Sequence, residues 1–263
     1  MPGPGRRGMT LVELLVVISI ISILSGMLTP VFNFARGTAR LNHCLGNLRQ
    51  LGFAWQAYAD SHSTYSMPQV WMQANPAIYW WGTNGRPPDY TRGLLYPYLP
   101  SDTRVDDIYD CPEQPWGSYI PQGISRQPTS TYGYNGLYFA PVASGWGVTQ
   151  ASIAWRQIDQ VEGAGRVAVF GDALLDWSVN RGITVTNNCY LDGPLVPLGR
   201  RWVKNTCPTL AFRHRGRACI VFADGHAEAM SKTLGVITSP HAQIGYIGTD
   251  NAPHYVPDYQ AWF

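Results

Sequence analysis

The sequence predicts an α+β protein in which one long N-terminal helix continues into a globular head with a small antiparallel sheet. Three observations support this fold class. An apolar run of membrane length lies near the N-terminus, helical spacing of apolar residues continues beyond it, and an Asp-Gly hairpin signal separates two apolar segments near the C-terminus. The head is also expected to contain long loops rich in aromatic residues, glycine and proline, and about 200 residues are enough for its core.

The first element is a short polar leader, residues 1–8, followed by an apolar segment, residues 9–34. The leader contains Arg6 and Arg7, and the run from Leu14 to Leu28 is interrupted only by three serines and a glycine. A helix over 9–34 is long enough to cross a bilayer, and the two arginines favour a cytoplasmic N-terminus. The rest of the chain is therefore predicted to be exported from the cytoplasm.

One acidic residue, Glu13, lies within the apolar segment. A carboxylate in hydrocarbon costs about 3 kcal/mol or more, so we expect it to pair with a group that a lone helix in lipid cannot supply. That group is predicted to belong to another chain. The alternative is a plain single-pass anchor in which the glutamate has no role.

These features together resemble the N-terminus of type IV prepilins and type II secretion pseudopilins. The resemblance implies that prepilin peptidase cuts the leader after Gly8 and methylates Met9 as the new N-terminus. Glu13 then occupies the family's acidic fifth position, and Pro30 stands where family members often carry a helix-bending proline. An ordinary secretory signal differs, because it is removed after the apolar run.

The helical pattern continues through a second segment, residues 35–62, which we predict to be the outer half of the helix. Its apolar residues recur at intervals of three and four, and they are Leu41, Cys44, Leu45, Leu48, Leu51, Trp55 and Tyr58. We therefore expect one helix to about Asp60, bent but not ended at Pro30. Its outer half should lie against the head, residues 63–263.

The part of the head between Ser61 and Gly136 is dense in Trp, Tyr, Pro and Gly, so regular structure is expected to be sparse there. Trp80 and Trp81 could form part of a sugar-binding face. This is the basis of an alternative function, a membrane-tethered carbohydrate-binding or hydrolytic surface protein. We favour packing in the core, because a loop-rich region needs large side chains to form one.

Three strands are predicted further along the head, over residues 166–171, 218–223 and 226–230. The last two are separated by Asp224-Gly225, the strongest short hairpin signal in the chain. We therefore expect these two strands to pair as an antiparallel hairpin.

His214, followed after nine residues by Asp224-Gly225, resembles the prepilin-type processing-associated domain of planctomycete-type large pilin-like proteins. Other similar fragments are residues 44–50, 111–112, 132–135 and 169–172. The inserts at 66–105 and 173–210 match nothing in that family. No enzymatic activity follows from this resemblance.

His214, Asp172, Asp224 and His226 could form a metal site or a general acid/base cluster. The sequence contains none of the usual spacings of zinc sites or of serine nucleophiles around them. We therefore expect structural roles and assign no catalytic residue. Asp224 supplies a turn, Gly225 supplies its positive φ, and His214 forms a hydrogen bond across strand ends.

No cofactor is expected, except that the resemblance to pseudopilins allows a structural calcium ion. The densest group of oxygen ligands is Asp102, Asp106, Asp107 and Asp110, whose spacing is not that of an EF-hand loop. The formal net charge is +2, and no basic run follows the leader. Nucleic acid is therefore not an expected partner.

Five cysteines in an exported head indicate disulfides, with one cysteine left over. The first predicted pair is Cys189 with Cys207, and the second is Cys44 with Cys111. Cys219 lies in an apolar strand and is expected to be a buried thiol. Spacing alone leaves the connectivity open.

The sequence as a whole predicts a non-enzymatic subunit, a pilin or pseudopilin, of a type IV pilus-like or type II secretion filament. Its expected partners are other such subunits through the N-terminal helix, prepilin peptidase and an inner-membrane assembly platform. Before assembly the chain is expected in the bacterial inner membrane, and afterwards in a periplasmic or cell-surface filament. In that filament Glu13 is predicted to meet the amine of Met9 on a neighbouring subunit.

Overall fold

The computed structural model describes residues 9–72, 74–83, 89–101, 108–113, 130–140, 155–176, 185–233 and 243–262. The chain divides into two compact units, one ending at Ala39 and the other beginning at Arg40. The second unit contains the head together with the outer part of the long helix. The unit boundary therefore lies inside the helix, whereas the sequence predicted a head beginning after it.

The long helix α1 spans Leu11–Ser61 and continues through Pro30. This confirms the predicted single helix to about Asp60, while the bend at Pro30 stays a prediction. In the first unit the apolar side chains of α1 are exposed, from Leu11 to Phe34. By length and composition, α1 is able to cross a membrane.

The outer part of α1 buries one face in the second unit. The residues of this face with no measurable exposure include Cys44, Leu48, Leu51 and Trp55. At Gly52 the helix approaches the sheet so closely that an added Cβ would lie 2.9 Å from Val221 Cγ2. These residues follow the predicted helical stripe, and their burial explains why the second unit begins before the helix ends.

The described strands are short and are, in chain order, β1 Val70–Trp71, β2 Ile78–Tyr79, β3 Tyr132–Tyr134, β4 Ala168–Asp172, β5 Leu174–Leu175, β6 Thr186–Asn187, β7 Leu195–Leu198, β8 Arg201–Lys204, β9 Leu210–Ala211, β10 Arg217–Phe222, β11 Ala227–Ser231 and β12 Ile244–Gly245. A short helix, α2, spans Gly136–Phe139. The central sheet has four antiparallel strands in the order β11-β10-β4-β3. Further two-stranded pairs are β1-β2, β5-β6, β7-β8 and β9-β12. The α+β class with a small antiparallel sheet is therefore confirmed.

Two of the tryptophans between Ser61 and Gly136 lie in the core. Trp80 is 0 % exposed and Trp81 is 1 % exposed, and the Trp80 ring lies 5.0 Å from the ring of Phe170 on β4. Core packing is confirmed for these two tryptophans. The sugar-binding face proposed for them is wrong, because buried rings cannot stack on a glycan.

The three predicted strands are present with ends shifted by one or two residues, as β4, β10 and β11. β10 and β11 pair directly, with Val221 opposite Ala227. Gly225 in the connecting turn has φ +89°, and Asp224 Oδ1 accepts a hydrogen bond from His226 N at 3.1 Å. The predicted Asp-Gly hairpin is therefore confirmed, with glycine at the position that needs positive φ.

We expect Gly225→Val to lower the melting temperature of the head, because a β-branched residue resists positive φ at a cost of about 1–3 kcal/mol. Gly225→Asn is the matched control, since asparagine tolerates this region, and it should be clearly milder. Asp224→Ala should also be milder than valine, at about 1 kcal/mol for the lost turn hydrogen bond. Thermal denaturation measures all three, and equal melting of the Val and Asn variants would contradict the structural role of Gly225.

Candidate functional site

The start of α1 is fixed by reciprocal hydrogen bonds between Thr10 and Glu13. Glu13 Oε2 accepts from Thr10 N at 2.8 Å and from Thr10 Oγ1 at 2.9 Å, while Glu13 N donates to Thr10 Oγ1 at 3.2 Å. This is a capping box, in which an N-cap threonine and a glutamate three residues later satisfy each other's backbone donors. The Thr-x-x-Glu spacing could have revealed it in the sequence.

The capping box corrects the expectation that a lone helix supplies no partner for Glu13, because Thr10 supplies two donors to one carboxylate oxygen. Among the described residues, Oε1 of Glu13 has no hydrogen-bond partner, and no cation lies in salt-bridge contact with the carboxylate. The negative charge and one oxygen therefore remain available for a second chain.

A second candidate site is a buried cluster inside the head, made of Cys44, Cys111, Asp172 and His214. Cys44 lies on α1 and Asp172 is the last residue of β4. Cys111 follows Asp110 in a loop, and His214 precedes β10. One ligand atom from each of the four side chains lies within 4.8 Å of the others, and all four residues are buried.

The distances within the buried cluster are those of direct polar contacts. Cys44 Sγ lies 3.3 Å from Asp172 Oδ1, and Cys111 Sγ lies 3.3 Å from His214 Nε2. His214 Nε2 also lies 3.4 Å from Asp172 Oδ2. His214 Nδ1 is buried with no hydrogen-bond partner among the described residues. All the polar contacts of the imidazole thus run through Nε2.

Three further residues surround the buried cluster, two as hydrogen-bond donors and Arg213 as an ion-pair partner. Tyr132 Oη donates to Cys44 Sγ at 3.3 Å, and Cys219 N donates to Asp172 Oδ2 at 2.7 Å. Arg213 Nε lies 3.8 Å from Asp172 Oδ1, and the arginine side chain is 7 % exposed. Another nitrogen of Arg213, Nη2, donates to two backbone carbonyls at 3.1 and 2.7 Å, which fixes the guanidinium beside the carboxylate.

The electrostatics of the buried cluster favour a charged carboxylate. Burial raises the pKa of Asp172, but the charge of Arg213 and the hydrogen bond with His214 outweigh burial and leave it below its ordinary value. Burial lowers the pKa of His214, while contacts with Asp172 and Cys111 raise it to about 9. Burial raises the pKa of Cys44 and of Cys111, so both thiols are protonated when the cluster holds no cation.

The four residues weighed as a metal or acid/base cluster form two separate pairs. Asp172 and His214 belong to the buried cluster, whereas Asp224 and His226 pair at the hairpin surface, with 2.6 Å between Asp224 Oδ1 and His226 Nδ1. The backbone of His214 pairs with that of Arg217 in a turn, and the predicted hydrogen bond across strand ends is made by the imidazole, to Asp172 at the end of β4. Its side chain points into the buried cluster.

All five cysteines lie in the described part of the chain and are buried thiols, so neither predicted disulfide is present in the structure. The thiols of Cys44 and Cys111 share the buried cluster with a carboxylate and an imidazole. Cys207 Sγ lies 4.0 Å from Thr206 Oγ1 and is not bonded to Cys189. Cys219 is buried in β10, as predicted.

The calcium candidates Asp102, Asp106 and Asp107 lie outside the described residues, as does Gly8 at the predicted cleavage position. Asp110 is described, and its backbone carbonyl accepts a hydrogen bond from Asn47 Nδ2 at 3.3 Å. The structure thus leaves calcium binding there as a prediction.

Residues 4–29 match the family model of the prokaryotic N-terminal methylation motif. The N-terminus is a type IV pilin-like prepilin segment. This prepilin segment contains Gly8, Met9 and Glu13, and it overlaps the exposed apolar part of α1. Searches of curated proteins and of solved structures found no match. The matched segment lies outside the head, so the resemblance of His214 and Asp224-Gly225 to a processing-associated domain remains a prediction.

Proposed function

We propose that this protein is a structural, non-enzymatic subunit of a type IV pilus-like or type II secretion filament. The observation that carries the proposal is the prepilin segment at residues 4–29, which is continuous with a helix whose apolar side chains are exposed. Such a helix needs either lipid or other helices around it. A filament supplies the other helices when the subunit leaves the lipid and joins it.

The chemistry at the start of the helix fits this transfer. Cleavage after Gly8 leaves Met9 with a free amine one residue before the threonine of the capping box. Methylation of that amine keeps its positive charge. In a bundle of such helices, the amine on one subunit meets the available Oε1 of Glu13 on the next, which replaces two unpaired buried charges with one pair.

The proposed partners are prepilin peptidase and an inner-membrane assembly platform, and the proposed location changes from the inner membrane to a filament. Prepilin peptidase acts on the leader at the cytoplasmic face of the inner membrane, where Arg6 and Arg7 hold it. An inner-membrane assembly platform then moves the subunit into a filament in the periplasm or at the cell surface. The head, with its aromatic core, remains outside the membrane throughout.

The proposal is tested first at the cleavage position. Gly8→Val, co-expressed with prepilin peptidase, should accumulate as the longer precursor in the inner membrane, because a bulky side chain blocks a site built around glycine. Immunoblotting should show a single slower band. Mass spectrometry of the wild-type chain should find a mature N-terminal peptide that begins with methylated Met9.

Gly5→Val is the matched control, because it changes a leader glycine away from the cleavage position and should be processed normally. Normal processing of Gly8→Val would contradict the proposal. So would a mature chain that begins after the apolar run, since removal of that run would leave no helix for assembly.

A further inference from the structure

We infer that the buried cluster of Cys44, Cys111, Asp172 and His214 is a structural zinc site. It offers two thiols, one imidazole and one carboxylate, which are the ligand types that zinc takes in proteins. Calcium and magnesium are poor alternatives, because they prefer oxygen ligands throughout. The inference does not depend on the proposed filament function.

The spacing of the ligand atoms fits a tetrahedral ion. Metal–ligand distances of about 2.0–2.3 Å place the ligand atoms of a tetrahedron about 3.3–3.8 Å apart. The contacts of Cys44 with Asp172 and of Cys111 with His214 are both 3.3 Å, and the longest ligand separation is within 4.8 Å. Side-chain shifts of about 1 Å would therefore complete the coordination shell.

The surroundings of the buried cluster are those that a zinc site needs. Zinc with two thiolates and one carboxylate carries one net negative charge, and the buried guanidinium of Arg213 balances it. Tyr132 Oη donates to Cys44 Sγ, and Cys219 N donates to Asp172 Oδ2, so ligand atoms are oriented by hydrogen bonds.

The position of the ligands assigns the ion a structural role. Cys44 comes from α1, Cys111 from a loop of the aromatic region, and Asp172 from the central sheet. An ion bound to all three ties the outer helix to the head at a closed, four-ligand site, which is typical of structural zinc and not of catalytic zinc.

The test uses the full mature chain purified in detergent with its thiols reduced. Elemental analysis should find about one zinc ion per chain. Exchange with Co²⁺ should give the visible bands of a tetrahedral cobalt site and a thiolate-to-cobalt charge-transfer band. Removal of zinc by a chelator should lower the melting temperature of the wild-type chain, and zinc, but not calcium, should restore it.

Cys111→Ser and His214→Gln should lose the cobalt bands and weaken zinc binding by more than about 100-fold, which exceeds the usual effect of changing a group that only orients a ligand. Cys219→Ser is the matched control, because this thiol is equally buried beside the cluster but lies outside the ligand set. It should keep the bands. Tyr132→Phe should weaken zinc binding by about 10- to 100-fold and leave the cobalt spectrum tetrahedral.

Three results would overturn the inference. The first is a reduced wild-type chain that takes up neither zinc nor cobalt, a result that needs no substitution and no refolding. The second is a native chain in which thiol trapping and peptide mapping recover Cys44 linked to Cys111 as a disulfide. The third is loss of the cobalt bands in Cys219→Ser as complete as in Cys111→Ser, which would mean that the ligand set is wrong.

Discussion

Glu13→Gln should be almost excluded from filaments, although glutamine keeps the capping box at the start of α1. Glutamine can still accept from Thr10, so the helix start should be preserved. It carries no charge, however, and the amine of Met9 on the next subunit would be buried without its counter-ion, at a cost of about 3–5 kcal/mol. Incorporation beside wild-type subunits should therefore fall by more than about 100-fold.

Two companion variants separate charge from capping. Thr10→Ala keeps the carboxylate but removes the cap, which is worth about 1 kcal/mol, so incorporation should fall only several-fold. Glu13→Val removes both and should insert into the membrane at least as well as wild type, because it lacks the costly carboxylate. All three should leave the melting temperature of the head unchanged, since residues 10 and 13 belong to the other compact unit.

Co-expression with wild type, crosslinking and recovery of sheared filaments measure the incorporation directly. Wild-type levels of Glu13→Gln combined with loss of Thr10→Ala would show that capping matters and the charge does not. Undiminished incorporation of Glu13→Val would show that Glu13 has no role in assembly and that another contact drives it.

Gly133→Ala should strongly destabilise the head. Gly133 lies in β3, and an added Cβ would meet the Tyr190 carbonyl, with 2.6 Å to its carbon, and Ala173 Cβ at 2.9 Å. The backbone of β3 cannot move away from Tyr190 without weakening the neighbouring hydrogen bond, which Tyr134 N donates to Cys189 O at 3.0 Å. We expect a loss of about 3 kcal/mol, or about 10 °C in melting temperature for a head of this size.

Gly46→Ala is the matched control for Gly133→Ala. Gly46 lies on α1 with nothing within 4 Å of an added Cβ, so alanine should stabilise the chain by about 0.5–1 kcal/mol through its helix propensity. Thermal denaturation of both variants tests the packing of β3. A Gly133→Ala chain that melts at or above the Gly46→Ala temperature would contradict the close approach of β3 to residue 190.

The buried cluster was predicted only in part, because the sequence indicates which of its residues lie close together but not that all four meet at one site. The sequence predicts that Cys44 and Cys111 lie close in space, and they do, but as free thiols and not as the predicted disulfide. The sequence places Asp172 and His214 in one candidate cluster with Asp224 and His226, but the latter two form a separate pair at the hairpin surface. His214, Asp224 and His226 are close in the sequence, and only the packing of distant strands separates His214 from the other two.

For Trp80 and Trp81, the sequence does not determine whether the rings are buried or exposed. An aromatic-rich loop region is compatible with both a ligand surface and a core, because composition does not say which way a ring points. The packing of Trp80 against Phe170 decided for the core. With those rings buried, the carbohydrate-binding alternative loses the surface on which it depended.

The sequence by itself determined the features whose signals are local. The prepilin segment, the helix that runs to Ser61 and the hairpin at Asp224-Gly225 each depend on residues within a few turns or one strand pair, so periodicity and turn chemistry were sufficient. Only the tertiary structure decided the composition of the buried cluster. Its contacts join residues 128 and 103 positions apart, and no local pattern records which distant side chains the fold brings together.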